Sequence, residues 1–198
     1  LYPLKFTPIF KDKIWGGQKI KTVLGRDFGE LPNAGESWDI SGVEGNESIV
    51  CNGALAGNSL AELVEVYMGD LVGDKVYAKH GNQFPLLVKV IDANDALSIQ
   101  VHPDDEMAAE RHNSLGKTEM WYVVDADPGS RLRSGFAKQV TPDEYEQSIA
   151  DNTITDLLQE YDIHAGDVFF LPAGRIHSIG AGAFIAEIQQ TSNITYRI

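Results

Sequence analysis

Short runs of alternating apolar and polar residues, each stopped by a glycine, proline or asparagine turn, recur along almost the whole chain. They read as ESWDIS at 36–41, ESIVCNG at 47–53, FPLLVKVIDA at 84–93, ALSIQVH at 96–102, TEMWYVV at 118–124 and, at the end, GDVFFLPAGRIHSIG and AFIAEIQQTSNITYRI. A period of two marks strands with one face buried, and the nearly continuous apolar run at 84–93 marks a strand covered on both faces. Helical spacing is confined to insertions. SLAE at 59–62 has capping-box form and leads into Leu60, Leu63, Val64, Tyr67 and Leu71, predicting a helix over about 59–72. A second is predicted over about 104–113, and TPDE opens a third expected over about 141–160. Strands and helices do not alternate in a strand–helix–strand rhythm, which argues against a doubly wound sheet. The expectation is a mainly β protein, a jelly roll or β-sandwich with helical insertions, forming one domain over 1–198.

A formal net charge of −13 argues against nucleic acid and membrane surfaces as partners, because both attract basic faces. The single cysteine, Cys51, cannot form an internal disulfide and reads as a small buried thiol, so the cytoplasm is the expected location. The chain starts at Leu1 without methionine and stops at Ile198 straight after a strand-like segment, as expected of a fragment or trimmed chain.

Chemistry enters with LSIQVHPDD at 97–105. Residues two apart in a strand share a face about 6.7 Å apart, so Ser98, Gln100 and His102 are expected on one side and Leu97, Ile99 and Val101 on the other. The same alternation puts Lys117, Glu119 and Trp121 on a common face. His177 follows the turn LPAG. Buried polar groups without partners cost kilocalories each, and two imidazoles, a carboxylate and an amide oxygen would share that cost by holding one divalent cation. His80, His112 and His164 read as turn or helix-surface residues.

The spacing from Gly166 through Pro172 and Gly174 to His177 resembles the second motif of the cupin superfamily, although Ala181 stands where an asparagine is usual. The first motif is altered as well, with Q-V-H in place of H-x-H and its glutamate displaced beyond an insertion at 103–118. LSIQVHPDD, GKTEMWYV, LPAGRIHSIG and EIQQTSNITYR, taken in order with FKDKIWGG and AGESWDIS, resemble the type I phosphomannose isomerases in their short bacterial form. That resemblance implies a cupin-type fold and one Zn²⁺ per chain, held by Gln100, His102, Glu119 and His177. It also implies interconversion of mannose 6-phosphate and fructose 6-phosphate. Lys117, Glu187 and Arg197 take catalytic roles by the same likeness, and Ser98, Lys117 and Arg197 contact substrate. Glu36 and Trp38 border the pocket, and the family's C-terminal β domain is expected to be absent from this chain.

The isomerisation needs a proton taken from the carbon beside a carbonyl and the resulting enediolate stabilised. Glu187 is expected to move that proton if burial raises its pKa toward neutrality. Because the protein is acidic overall, a phosphate substrate requires a local positive mouth, expected from Lys117, Arg197 and Arg175. Two competing readings stand beside this one: a non-catalytic sugar-phosphate-binding module, and an iron-dependent dioxygenase built on His102, Glu119 and His177.

Overall fold

Glu119–Ala126 shows how the alternation is used: Glu119, Trp121 and Val123 are buried, while Met120 and Tyr122 between them are exposed. The computed structural model describes residues 1–198. Its strands are β1 (Phe6–Thr7), β2 (Ile9–Lys11), β3 (Glu36–Ser41), β4 (Ile49–Val50), β5 (Leu86–Ala93), β6 (Gln100–Val101), β7 (Glu119–Ala126), β8 (Arg131–Phe136), β9 (Leu158–Asp162), β10 (Val168–Leu171), β11 (His177–Ile179), β12 (Ala183–Gln190) and β13 (Tyr196–Arg197). All pairings are antiparallel. A six-stranded sheet runs β10-β7-β12-β5-β3-β2, a five-stranded sheet runs β13-β6-β11-β8-β9, and β1 pairs with β4 alone. The fold is mainly β, as the alternation predicts.

The two sheets pack through one core to which the larger contributes Ile91, Trp121, Val123 and Ile185 and the smaller Leu132 and Ile179. Behind the larger sheet a second cluster joins Val90 and Phe184 to Ile20, Phe28 and Ala34 of the N-terminal segment. This covering explains why β5 is apolar on both faces: from Lys89 to Ala93 every residue is buried.

The helices are α1 (Lys19–Thr22), α2 (Leu60–Tyr67), α3 (Gly69–Val72), α4 (Asp74–His80), α5 (Asp105–His112) and α6 (Pro142–Ala150). Three secondary-structure expectations need correction. The helix predicted over 59–72 breaks at Met68, which adopts φ 47°, and is followed by the unforeseen α4. The helix predicted to residue 160 ends at Ala150, where Asp151 and Asn152 form a turn with Asn152 at φ 56°. Beyond it Leu158–Asp162 is a strand, paired with β8 and fastened by Arg131 and Arg133 to Glu160. Finally, the strand expected over 96–102 is regular only at Gln100–Val101. The expectation of a buried thiol is also corrected: Cys51 is exposed, since the alternation that buries Val50 turns its neighbour outward. No helix is long and apolar enough to cross a membrane.

Candidate functional site

Register across the larger sheet assembles one wall of the site. Trp38 of β3 lies opposite Lys89 of β5, Lys89 opposite Glu187 of β12, and Glu187 opposite Trp121 of β7. All four are buried. The smaller sheet faces this row with Gln100 of β6 paired to His177 of β11. His102 enters from the segment just past β6 and is held by Ile194, whose carbonyl oxygen lies 2.9 Å from its Nδ1.

Between the sheets lies a cavity of about 340 Å³ lined in part by Glu36, Trp38, Lys89, Ser98, Gln100, Lys117, Glu187 and Arg197. Leu97 lines it beside Ser98, a correction to strict alternation that follows from the irregular backbone there. Trp15 and Lys13 also line it. Arg175 is exposed near Gly135 and lies outside the lining, so the expected contribution of Arg175 to a positive mouth is not met. His80 closes α4, while His112 and His164 are exposed, all away from the cavity.

Beneath the cavity floor, ligand atoms of His102, Glu119 and His177 lie within 4.8 Å of one another, with each residue no more than 3% exposed. His177 Nδ1 is 2.8 Å from the Arg175 carbonyl oxygen and His102 Nδ1 is likewise tied to a carbonyl. Both Nδ1 atoms therefore donate, and the lone pair of each Nε2 is left facing the cluster. Burial, then the Lys117 charge, pushes His102 down to about 3; burial is also the main cause that takes His177 to about 4. Both imidazoles are neutral at pH 7. Gln100 Nε2 is 3.3 Å from His177 Nε2, and half a turn of the amide presents its oxygen to the same point. Glu119 Oε1 is buried without a hydrogen-bond partner, although His177 Nε2 lies 3.3 Å away. Neutral imidazoles, a carboxylate with an unused oxygen and an adjacent amide form a donor set that fits a divalent cation.

A chain of buried charges leads from this cluster to the opposite wall. Lys117 Nζ bonds Glu119, approaches His102 Nε2 at 3.1 Å and lies 3.5 Å from Glu187 Oε1. Lys89 Nζ bridges Glu187 Oε1 at 3.1 Å and Glu36 Oε1 at 3.0 Å. Burial alone would raise the Glu187 carboxyl. Lys117 and Lys89, with the Trp121 indole donating to Oε2 at 2.9 Å, instead hold it down at about 2. The expected rise toward neutrality is therefore reversed. Glu119 moves the other way, to about 7, because burial and the neighbouring Glu187 charge outweigh Lys117. Lys89 stays charged, its pKa raised by Glu187 and Glu36 against a large desolvation cost.

A family model described as "Phosphomannose isomerase type I, catalytic domain" matches residues 3–129, a span that includes Gln100, His102, Lys117 and Glu119. The chain belongs to the type I phosphomannose isomerase family. Among relatives of this family, mannose-6-phosphate isomerase of Streptococcus mutans is 40% identical over 196 residues, covering 99% of this chain and 60% of its own. The crystal structure of mannose 6-phosphate isomerase from Bacillus subtilis superposes with a TM-score of 0.88 at 36% identity, across 98% of this chain and 60% of that one. A mannose 6-phosphate isomerase bound with zinc and yttrium, 15% identical, shares the fold at a TM-score of 0.75 over 98% of this chain and 69% of that one. The chain thus spans about 60% of the length of the curated relatives it matches. Within this phosphomannose isomerase fold, two lysines of the lining, Lys13 and Lys89, escaped the sequence reading. Lys89 is a lone charge in an otherwise apolar strand, a signal that was available. Lys13 reaches the cavity from an irregular segment with no periodicity to announce it.

Proposed function

We propose that residues 1–198 act as the catalytic domain of a zinc-dependent aldose–ketose isomerase that interconverts mannose 6-phosphate and fructose 6-phosphate in the cytoplasm. The observation that carries this reading is the convergence of a His102–Glu119–His177 cation site, Gln100 at its edge, with a polar cavity lined by Lys117, Glu187 and Arg197. Family membership and the relatives' printed activity support the same reaction.

Gln100, His102, Glu119 and His177 would hold one Zn²⁺ per chain, since borderline nitrogen and oxygen donors suit that ion and the reaction needs no redox step. When bound, such an ion supplies Lewis acidity that stabilises negative charge on substrate oxygen. The chain's own residues do the rest. Ser98 and Arg197 contact the sugar phosphate, Arg197 as a cation for the phosphate. Trp15 and Trp38 line the cavity and would pack against the sugar. Glu187, ionised at neutral pH, accepts the proton from the carbon beside the carbonyl and returns it to the neighbouring carbon, while the hydroxyl proton passes between the two oxygens of the enediol. Lys117 steadies charge at the substrate oxygen. As its ammonium turns to that oxygen, Glu187 loses one of its restraining partners and gains basicity.

A coupled assay with mannose 6-phosphate tests the reading. Turnover should vanish with a chelator and return with added zinc. Hydrogen exchange between substrate and heavy water should follow the same pattern, because a pure binding module moves no proton. Zinc-replete chain that binds the sugar phosphate without turnover or exchange would sink the isomerase assignment. Restoration by iron, with oxygen consumed, would replace it with the dioxygenase.

A further inference from the structure

The cavity has more cations than it has free charge. Of the four basic side chains that line it, Lys89 is clamped between Glu36 and Glu187, and Lys117 lies against Glu119 and Glu187. With no substrate in the cavity, both charges are balanced by buried carboxylates. Arg197 takes part in none of the cavity's ion pairs. Lys13 has one, a 3.9 Å approach to Glu36 Oε2, an atom that already accepts the Trp38 indole N–H at 3.0 Å while its partner oxygen accepts Lys89. A pair that long, on a side chain 39% exposed, neutralises little.

Lys13 is also seated. Its backbone N–H donates to Asn33 Oδ1 at 3.0 Å, and its carbonyl accepts the Gly16 N–H at 2.9 Å. Its stem lies flat against Gly35, where an added Cβ would come within 2.6 Å of Lys13 Cβ and Cγ. Glycine at 35 is what lets the lysine run along the start of β3 toward the cavity, and Asn33 fixes where it begins. An acidic protein that takes a doubly charged phosphate needs cations with unspent charge at the binding position.

We propose that Lys13 is the second cation, opposite in sequence and element to Arg197, that grips the anionic end of the substrate. The inference rests on the sugar-phosphate reading above and adds a specificity-determining residue to it. Arg197 offers a planar fork, whereas Lys13 offers a point charge that serves any phosphate monoester.

The test is equilibrium binding to the metal-loaded chain, followed by intrinsic tryptophan fluorescence, with inorganic phosphate, mannose 6-phosphate and mannose as separate probes. Lys13→Met should weaken phosphate and mannose 6-phosphate by about tenfold, the loss of one charge-assisted contact, and leave mannose unchanged. Lys13→Arg should retain most of the phosphate affinity. Equal weakening of all three probes, or unaltered phosphate affinity in Lys13→Met, would overturn the assignment. The turnover assay separates this from the parent reading: a wild-type chain that does not isomerise mannose 6-phosphate, yet loses phosphate on Lys13→Met, keeps the anion site and discards the isomerase.

Discussion

Lys89 is the residue on which the internal charge chain turns. An ammonium buried in the middle of an apolar strand is tolerable only because Glu36 and Glu187 reach it from the strands on either side. Lys89→Met removes the cation and leaves two buried carboxylates facing each other, so stability should fall by about 3–5 kcal/mol. Urea unfolding measures this, and a loss below about 1 kcal/mol would show that the carboxylates find other partners. The lone charge of Lys89 in an apolar run was a signal the sequence analysis left unused, and no local pattern could have named its partners, since pairing Lys89 with Glu36 joins positions 53 apart. His102, Glu119 and His177 were legible one by one, from alternation and from the turn before His177. That they share a centre depended on sheet register.

At the scale of elements, local signals succeeded where the chain's own neighbours decide the structure. The capping boxes at Ser59 with Glu62 and at Thr141 with Glu144 are both present. Ser59→Ala strips the cap from α2 and should cost about 1 kcal/mol, seen as a lower midpoint in urea with an unchanged slope. No change would mean that the packing of Leu60, Leu63 and Val64 alone holds the helix start. Local signals failed for β9. Leu158 was read as continuing a helix, but it packs with Ile154 and Ile176, and the pairing of β9 with β8 gives its backbone partners no local pattern reveals. For β6 they overreached: only two residues are regular, because Leu97 bonds instead to Ile179 and the backbone departs from the ladder.

For the molecule as a whole, the buried imidazoles make folding depend on pH. Unfolded, each histidine titrates near 6.5, while folded His102 and His177 lie near 3 and 4. From about pH 6.5 down to 4 the unfolded chain therefore binds more protons, and stability falls as the pH falls. Glu119, raised from 4.5 to about 7, opposes this between those values, with one proton against two. Glu187 adds a further loss from 4.5 toward about 2. The chelator-treated chain should show a melting temperature that drops steadily from pH 6.5 to 4. A flat or rising profile would mean that the two imidazoles are charged in the folded state.

What the sequence determined by itself was the list of parts. Alternation, turns and caps follow from contacts within a few residues, so a mainly β architecture, its helical insertions and the polar residues of its inward faces could be read directly. The tertiary structure alone decided how those parts meet. Register across four strands set Trp38, Lys89, Glu187 and Trp121 in one row and placed Lys117 between Glu119 and Glu187. It also left Lys13, not Arg175, on the cavity wall. The physical reason is that ionisation and unspent charge depend on distances between groups far apart in the chain, and only the packed sheets fix those distances.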